Sequence, residues 1–279
     1  MTVPEQSRRT RSRIQSRGRP PRDHHQRQRV NACARIRSLR ELVETVGTPV
    51  GDDWVAEPRR TRWPMAVTPY YASLIRTLTP DDPIARQCVP SREELEDDAL
   101  PEDPFDELGQ RVAPGLVRRY ADRAAFWATG ACAVRCRHCT RRNELTQAPA
   151  GTDPKPAVRW LREHPEVREV LITGGDPLML SDVRLERVLA AFRSVPSVDV
   201  LRVGSRIPVV WPARVTRALC RMLRRYVPLW FHTHFNHPAE LTSQAIEACG
   251  RLVDAGIPVN NQTVLLRGVN DSVETLEAL

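Results

Sequence analysis

Five short apolar runs recur along the chain from residue 124 onward. They lie at residues 124–129, 170–173, 198–203, 228–235 and 257–266. Each run is followed by a polar loop, and the connections after the second, third and fourth runs carry apolar residues at helical spacing. Repeated strand and helix units with buried strands predict a parallel sheet, either open or closed into a (β/α) barrel.

The positive charge of the chain is concentrated at its amino terminus. The net charge is +8, but residues 1–29 hold nine Arg against Glu5 and Asp23, a balance of +7. The rest of the chain is nearly neutral, so it has no basic face for a nucleic-acid backbone and we expect no nucleic-acid partner. We predict a disordered Arg-rich tail at residues 1–35, with a nucleic-acid arm or a targeting peptide as the alternative. A helical segment at 36–115 and a barrel at 116–279 follow.

The apolar runs and the cysteine count of the sequence indicate where the protein is located and whether its thiols are reduced. The sequence has no run of about 18 apolar residues that could cross a membrane, and no apolar block typical of a secretion signal. We therefore expect a cytoplasmic protein with no membrane partner. Seven cysteines, an odd number, favour reduced thiols or metal ligands over a disulfide framework.

Three of the cysteines, Cys132, Cys136 and Cys139, lie within eight residues directly after the first apolar run. A loop of this size can turn three thiolates toward one point, and the Arg residues around it favour the thiolate form. A structural zinc site needs four protein ligands, and His138 would be strained as the fourth. The spacing favours an iron–sulfur cluster with one iron open to a small molecule, over zinc or plain thiols.

Polar motifs also follow the other apolar runs. Because the carboxyl ends of the strands in a (β/α) barrel form one face where ligands bind, we expect these motifs to meet at one mouth. The glycines can bring backbone close to a ligand, with a simple turn as the alternative. Arg206 suits a carboxylate, with a surface salt bridge as the alternative. The candidates are Gly174, Gly175, Asp176, Ser205, Arg206, Gln262 and His234, the last in a cofactor-pocket or packing role rather than as a metal ligand.

The cysteine loop carries a resemblance to a known family. The run Cys132-Ala-Val-Arg-Cys136-Arg-His-Cys139-Thr-Arg141-Arg142 resembles the cluster loop of radical S-adenosylmethionine (SAM) enzymes, in particular the lysine 2,3-aminomutase branch. The resemblance extends over roughly residues 63–271, through motifs at 65–71, 119–123, 174–177, 204–208, 233–238 and 261–270. It implies an α/β fold, a partial (β/α)6 TIM-like barrel of the radical SAM type with an N-terminal helical extension. Five of its strands are visible in the sequence.

The same resemblance implies a reaction. A [4Fe-4S] cluster on the three cysteines cleaves SAM to a 5′-deoxyadenosyl radical, which initiates a 1,2-amino migration from the α to the β carbon of an amino acid such as lysine. Gly174, Gly175, Asp176, Ser205, Arg206 and Gln262 are implied to form the SAM pocket. Tyr120 and Arg123 are implied to contact pyridoxal phosphate (PLP), and Arg141 to pair with the substrate carboxylate. An amino-acid substrate and an electron donor such as flavodoxin or ferredoxin are the implied partners.

The sequence departs from this family after residue 271. Family members continue with a sixth strand and a glycine-rich segment that bears the lysine for PLP, whereas the one lysine here, Lys155, precedes the second apolar run. We expect a preserved cluster and SAM half with an incomplete PLP half, in a chain that looks truncated. The alternative is a non-catalytic remnant or interaction module that keeps the fold. An exposed sheet edge would favour a homo-oligomer.

Overall fold

The computed structural model describes residues 35–50, 54–56, 61, 63–96, 101, 103–145, 148 and 151–279. The predicted disordered tail, residues 1–35, lies outside these residues except for Arg35. Over the described ranges, no helix combines the length and the apolar character that are needed to cross a membrane.

Among its described residues, the segment before residue 97 contains four short helices. They are α1 (Leu39–Val46), α2 (Pro69–Ala72), α3 (Ala85–Cys88) and α4 (Glu93–Glu96). The Ser38 side chain caps α1, and Thr68 caps α2 with Pro69 at the first helical position, which is where helices accept these residue types. Buried residues of this segment, such as Tyr71, belong to the same hydrophobic core as the strands.

A seven-stranded sheet with its strands in sequence order forms the centre of the molecule. The strands are β1 (Arg111–Ala113), β2 (Leu116–Val117), β3 (Arg123–Thr129), β4 (Glu169–Gly174), β5 (Val200–Gly204), β6 (Leu229–Thr233) and β7 (Val259–Asn261). Strands β3 to β7 are parallel, and within the described residues the sheet stays open between β1 and β7. The predicted partial α/β barrel is confirmed, and its five parallel strands coincide with the five apolar runs.

The hairpin of β1 and β2 pairs antiparallel with β3 and was not predicted. It overlaps the end of the segment predicted to be helical, residues 36–115. Gly115, with φ of +74°, forms its turn in a backbone conformation that suits glycine. Strands of three and two residues are too short to show the alternation by which a strand is recognised from sequence.

Helices follow the parallel strands along the chain and pack against the outer face of the sheet. They are α5 (Arg142–Leu145), α6 (Lys155–Glu163), α7 (Asp182–Arg193), α8 (Ile207–Val210), α9 (Arg217–Arg224), α10 (Ser243–Asp254) and α11 (Val273–Ala278). Ser181, Thr216 and Thr242 cap α7, α9 and α10. Phe126 of β3 meets Phe192 of α7 edge to face, with ring centroids 4.8 Å apart.

The opposite face of the strands is concave and partly polar. Side chains alternate between the two faces of a strand, so every second residue of a strand points toward this face and away from the helices. Leu171 and Thr173 of β4, Gly204 of β5 and His232 of β6 line a cavity here. The fold therefore places one face of β4, β5 and β6 in the hydrophobic core and the other against this cavity.

Candidate functional site

A cavity of about 430 Å³ opens at the carboxyl ends of the parallel strands. Its walls come from the cysteine loop after β3, from the turns after β4 and β5, and from the ends of β6 and β7. Eleven of the thirteen predicted site residues line it: Cys132, Cys136, Cys139, Arg141, Gly174, Gly175, Asp176, Ser205, Arg206, His234 and Gln262. The structure thus brings these residues together at one mouth.

The cysteine loop is attached to the amino-terminal segment. The backbone N–H of Arg137 donates to the carbonyl oxygen of Gln87 at 2.8 Å, and the indole N–H of Trp63 donates to the carbonyl oxygen of Cys136 at 3.1 Å. The Arg137 guanidinium is buried, pairs with Glu94 and donates to the Trp63 carbonyl at 2.7 Å. These contacts fix the loop from behind while its three sulfurs line the cavity.

Burial opposes the thiolate form at two of the three cysteines, despite the neighbouring Arg residues. It raises the pKa of Cys132 well above its ordinary value, with smaller contributions from Cys139, Asp176 and Cys136. Burial, followed by the charge of Cys136, raises the pKa of Cys139 to about 11. Among the described residues, no three His, Cys, Asp or Glu side chains form a ready-made metal site. The donor chemistry fits a [4Fe-4S] cluster nevertheless, because three thiols share one wall of a cavity that leaves room for a further ligand.

Arg206 is a buried part of the cavity wall, and its guanidinium contacts four side chains. Nη1 donates to Sγ of Cys136 at 2.8 Å, and Nη2 donates to Oε1 of Glu240 and to the Tyr71 hydroxyl, both at 2.8 Å. Nη2 also donates to Oε1 of Gln87. With Arg206 8 % and Glu240 0 % exposed, the surface salt bridge considered for Arg206 is instead a buried one. The carboxylate that Arg206 binds belongs to this chain.

Glu240 connects this arginine to the loop after β6. Its Oε2 accepts from the backbone N–H groups of Asn236 at 2.6 Å and His237 at 3.2 Å, and its Oε1 accepts from the Tyr71 hydroxyl at 2.5 Å. The Asn236 side-chain amide donates to Oε1 of Gln87 at 3.0 Å. A continuous buried network therefore links the amino-terminal segment to the turns after β5 and β6.

Asp176 serves as an acceptor inside the fold. Its Oδ1 accepts from the Ser205 hydroxyl at 2.7 Å and from the backbone N–H of Leu178 at 3.0 Å, while its Oδ2 accepts from the backbone N–H of Arg206 at 2.9 Å. Burial raises the pKa of this carboxyl to about 6. Asp176 and Ser205 thus join the turn after β4 to the turn after β5.

Gly174 and Gly175 are required by a close approach of two backbone segments. A Cβ on Gly174, which has φ of +108°, would lie 2.7 Å from the Thr129 carbonyl oxygen, and one on Gly175 would lie 2.5 Å from that of Ala131. The N–H of Gly175 donates to the Thr129 oxygen at 2.6 Å, and that of Asp176 to the Ala131 oxygen at 2.8 Å. The glycines therefore pack the turn onto the start of the cysteine loop.

His234 and Gln262 complete the cavity at the ends of β6 and β7. Burial, with a smaller effect of the nearby Arg206 charge, lowers the pKa of His234 to about 4, so its imidazole is neutral at neutral pH. The backbone N–H of Gln262 donates to the Thr233 carbonyl at 2.8 Å, and the residue is exposed at the rim. His232 lies on the same wall, and its buried Nε2 has no hydrogen-bond partner within the described part of the chain.

Arg141 lines the cavity but is paired with Glu107. Nε donates to Oε2 and Nη2 to Oε1 of Glu107, both at 2.6 Å, and Nη1 donates to the Thr173 hydroxyl at 3.3 Å. The guanidinium lies 5.6 Å from the centroid of the Trp127 ring. Glu107 belongs to no motif, and no pattern in the sequence pointed to it.

Tyr120 and Arg123 lie at the amino end of β3, away from the cavity. Both are exposed, Arg123 pairs with Asp122 at 3.0 Å, and its guanidinium lies 5.4 Å from the centroid of the Tyr120 ring. The seven residues of β3 separate them from the cysteine loop by roughly 20 Å. The structure therefore places the two side chains together, but at the other end of the barrel.

The described residues do not complete a PLP site. Lys155, the one lysine of the sequence, begins α6, is exposed and does not line the cavity. PLP enzymes hold the cofactor through a lysine amine, and no described residue supplies that group at the cavity.

A partial (β/α) barrel with three cysteines on the loop after its first parallel strand defines the class of this protein. The sequence model of the radical SAM superfamily matches residues 128–279, and the chain belongs to that superfamily.

Within the superfamily the chain is similar to aminomutases. It is 47 % identical over 219 residues to the L-lysine 2,3-aminomutase of Acetoanaerobium sticklandii, covering 77 % of this chain and 53 % of that protein. The chain is 41 % identical over 248 residues to the L-lysine 2,3-aminomutase of Bacillus subtilis, and the match covers 88 % of this chain and 53 % of that protein. The chain is 39 % identical over 243 residues to the glutamate 2,3-aminomutase of Clostridioides difficile, and the match covers 86 % of this chain and 54 % of that protein. The chain spans about half the length of the curated relatives it matches.

Proposed function

We propose that this chain holds a [4Fe-4S] cluster on Cys132, Cys136 and Cys139 and generates the radical for an aminomutase reaction. The proposed reaction is the migration of an amino group from the α to the β carbon of an amino acid. The observation that carries the proposal is the convergence of three thiols and the ends of the parallel strands on one cavity. When bound, the reduced cluster supplies the electron that cleaves SAM to methionine and a 5′-deoxyadenosyl radical.

The residues of the cavity have separable tasks in this proposal. Asp176 and Ser205 fix the relative position of two turns through their mutual hydrogen bond, which holds this part of the cavity wall in place. His234, held neutral by burial, offers one donor and one acceptor without adding charge. Gln262 offers an amide at the rim. Radical chemistry needs a space that excludes water, and the burial of Asp176 and Ser205 suits that need.

The identity of the substrate and the partners is proposed from similarity. The named relatives act on lysine and on glutamate, which supports an amino-acid substrate and does not choose between the two. A one-electron reductant such as flavodoxin or ferredoxin would supply the electron that reduces the cluster. A cytoplasmic location and a homo-oligomer stay predictions.

The roles of three residues toward substrate and PLP also stay predictions from the resemblance. Arg141 can meet a substrate carboxylate in the present geometry through Nη1, because Glu107 already binds its other edge. The contact of Tyr120 and Arg123 with PLP is likewise a proposal from the resemblance. Both residues lie roughly 20 Å from the cysteine loop, and the PLP imine needs a lysine other than Lys155.

Anaerobic reconstitution with iron and sulfide tests the proposed function. We expect the wild-type chain to bind about four irons, to show the visible absorption of an iron–sulfur cluster, and to form 5′-deoxyadenosine from SAM with dithionite. Replacing Cys132, Cys136 and Cys139 together by alanine should abolish all three signals. Cys249→Ala, on the outer helix α10, is the matched control and should preserve them.

Two outcomes contradict the proposal. Equal iron in the triple variant and the wild-type chain would show that the three cysteines do not hold the cluster. A loaded cluster that yields no 5′-deoxyadenosine would favour the non-catalytic remnant instead. Incubation with isotope-labelled lysine and glutamate, followed by detection of the β-amino acid, then tests the substrate.

A further inference from the structure

We infer that Arg206 tunes the reduction potential of the cluster, acting on the sulfur of Cys136 rather than on a bound carboxylate. The inference rests on the proposed function only in requiring a cluster at the three cysteines. It gives Arg206 a positioning and electrostatic task that differs from the SAM contact implied by the resemblance.

The position of Arg206 does not depend on the sulfur that it contacts. Glu240, Tyr71 and Gln87 all bind its Nη2, which leaves Nη1 directed at Sγ of Cys136 at 2.8 Å. The Arg206 backbone N–H is held as well, by Oδ2 of Asp176. Three side chains therefore hold this guanidinium, and Asp176 holds the backbone of the same residue, before any cluster is present.

The contact gains strength when the sulfur is a thiolate. A guanidinium N–H that donates to an anionic acceptor makes a charge-assisted hydrogen bond, about twice as strong as a neutral one. Burial of Arg206 keeps water from screening the interaction. A cysteine bound to iron is deprotonated, so Cys136 in the loaded site is this stronger acceptor.

The sign of the effect follows from charge. Uptake of one electron, from dithionite or a reductant protein, takes the [4Fe-4S] core from 2+ to 1+. With its three thiolate ligands counted, the cluster therefore goes from a net charge of −1 to −2. A fixed cation and a hydrogen bond to a cluster sulfur favour the more negative, reduced state. Arg206 therefore raises the reduction potential, and Glu240, which partly neutralises Arg206, lowers it.

Potentiometric titration of the anaerobically loaded chain without SAM, followed by electron paramagnetic resonance of the reduced cluster, tests this. For Arg206→Gln we expect a tenfold shift of the one-electron equilibrium toward the oxidised state, which is about 59 mV more negative. Glu240→Gln should shift the potential in the opposite direction. Arg206→Lys, which keeps the charge and loses the planar fork, should show a smaller negative shift.

Tyr71→Phe is the matched control because it removes the two hydrogen bonds of the Tyr71 hydroxyl, from Arg206 and to Glu240, and leaves both charges in place. We expect its potential to stay close to that of the wild-type chain. A purely structural network would instead give Arg206→Gln and Glu240→Gln shifts of the same sign. That result, or an unchanged potential in Arg206→Gln at full iron content, overturns the inference.

The remaining outcomes are also decisive. If Arg206→Gln fails to fold, opposite shifts in Arg206→Lys and Glu240→Gln support the inference, and shifts of one sign or none overturn it. Absence of a cluster in the wild-type chain would remove the proposed function itself, together with this inference. A normal cluster with unchanged potentials removes the inference and leaves the proposed function intact.

Discussion

Both carboxylate oxygens of Glu107 accept hydrogen bonds from the guanidinium of Arg141, each at 2.6 Å. Glu107 precedes the β1–β2 hairpin, and Arg141 follows the last cysteine of the cluster loop by two residues. The pair therefore joins the amino-terminal segment to the loop on which the proposed chemistry depends.

Glu107→Gln should destabilise the fold because it leaves the largely buried Arg141 charge without its partner. Removal of one member of a buried pair is strongly destabilising, and for this partly shielded site we expect a loss of about 2–3 kcal/mol in the free energy of unfolding. Urea unfolding of the apo chain measures it.

Glu44→Gln provides the control for that change. Glu44 pairs with Arg40 on α1, where both side chains are mostly exposed, and such pairs contribute little. We expect no measurable effect. Equal losses of unfolding free energy in Glu107→Gln and Glu44→Gln would show that the buried Glu107–Arg141 pair stabilises the fold no more than an exposed pair does.

Gly175→Ala should prevent the turn after β4 from packing on the cysteine loop. The new Cβ would lie 2.5 Å from the Ala131 carbonyl oxygen, a backbone atom that cannot yield without moving the loop. We expect lower stability and a reduced iron content after reconstitution. Gly250→Ala is the control, because its Cβ meets nothing within 4 Å inside helix α10 and alanine favours helix there. A Gly175→Ala chain that loads iron like Gly250→Ala contradicts this account.

Asp176 should make the fold less stable as pH rises from about 4 to about 6. Burial raises the pKa of the folded-state carboxyl to about 6, so over this range the folded chain holds a proton that the unfolded chain has released. The expected slope is about 1.4 kcal/mol per pH unit. Asp176→Asn should lack it, so the stability of the variant relative to wild type should rise with pH over this window. A pH-independent difference between the two chains contradicts the assignment.

His234 should have the opposite effect in nearly the same window. Burial lowers the pKa of the folded-state imidazole to about 4, whereas the unfolded chain binds the proton below about 6.5. The contribution of His234 to stability is therefore fully present above pH 6.5 and is lost as pH falls toward 4. His234→Gln should remove this loss on acidification. Denaturant titrations at half-unit pH steps compare the two slopes, and identical pH profiles for variant and wild type would refute the prediction.

The sequence predicted the parts of the site that follow directly from strand order. Cys132, Gly174 and Ser205 each come just after a buried apolar run, so the geometry of parallel strands alone brings them to one edge. The same reasoning separates Tyr120 and Arg123 from that edge, because they precede or begin the first parallel strand.

The contacts that hold the site together could not be predicted in this way. Glu107 lies 34 residues from Arg141, and Gln87 lies 119 residues from Arg206. Neither residue stands at a strand end or in a periodic pattern, and either could be one more charged or polar surface residue. Such pairings depend on how the amino-terminal segment folds back over the barrel, which local sequence does not specify.

Gln87 shows what this arrangement means for protein engineering. One amide side chain binds both Arg206 and Asn236, and the backbone oxygen of the same residue holds Arg137 within the cysteine motif. A minimal peptide copied from residues 132–142 and grafted into a foreign scaffold would thus carry the ligands but not their electrostatic surroundings. Any transplant of this centre that is meant to keep its redox behaviour has to include helix α3 as well.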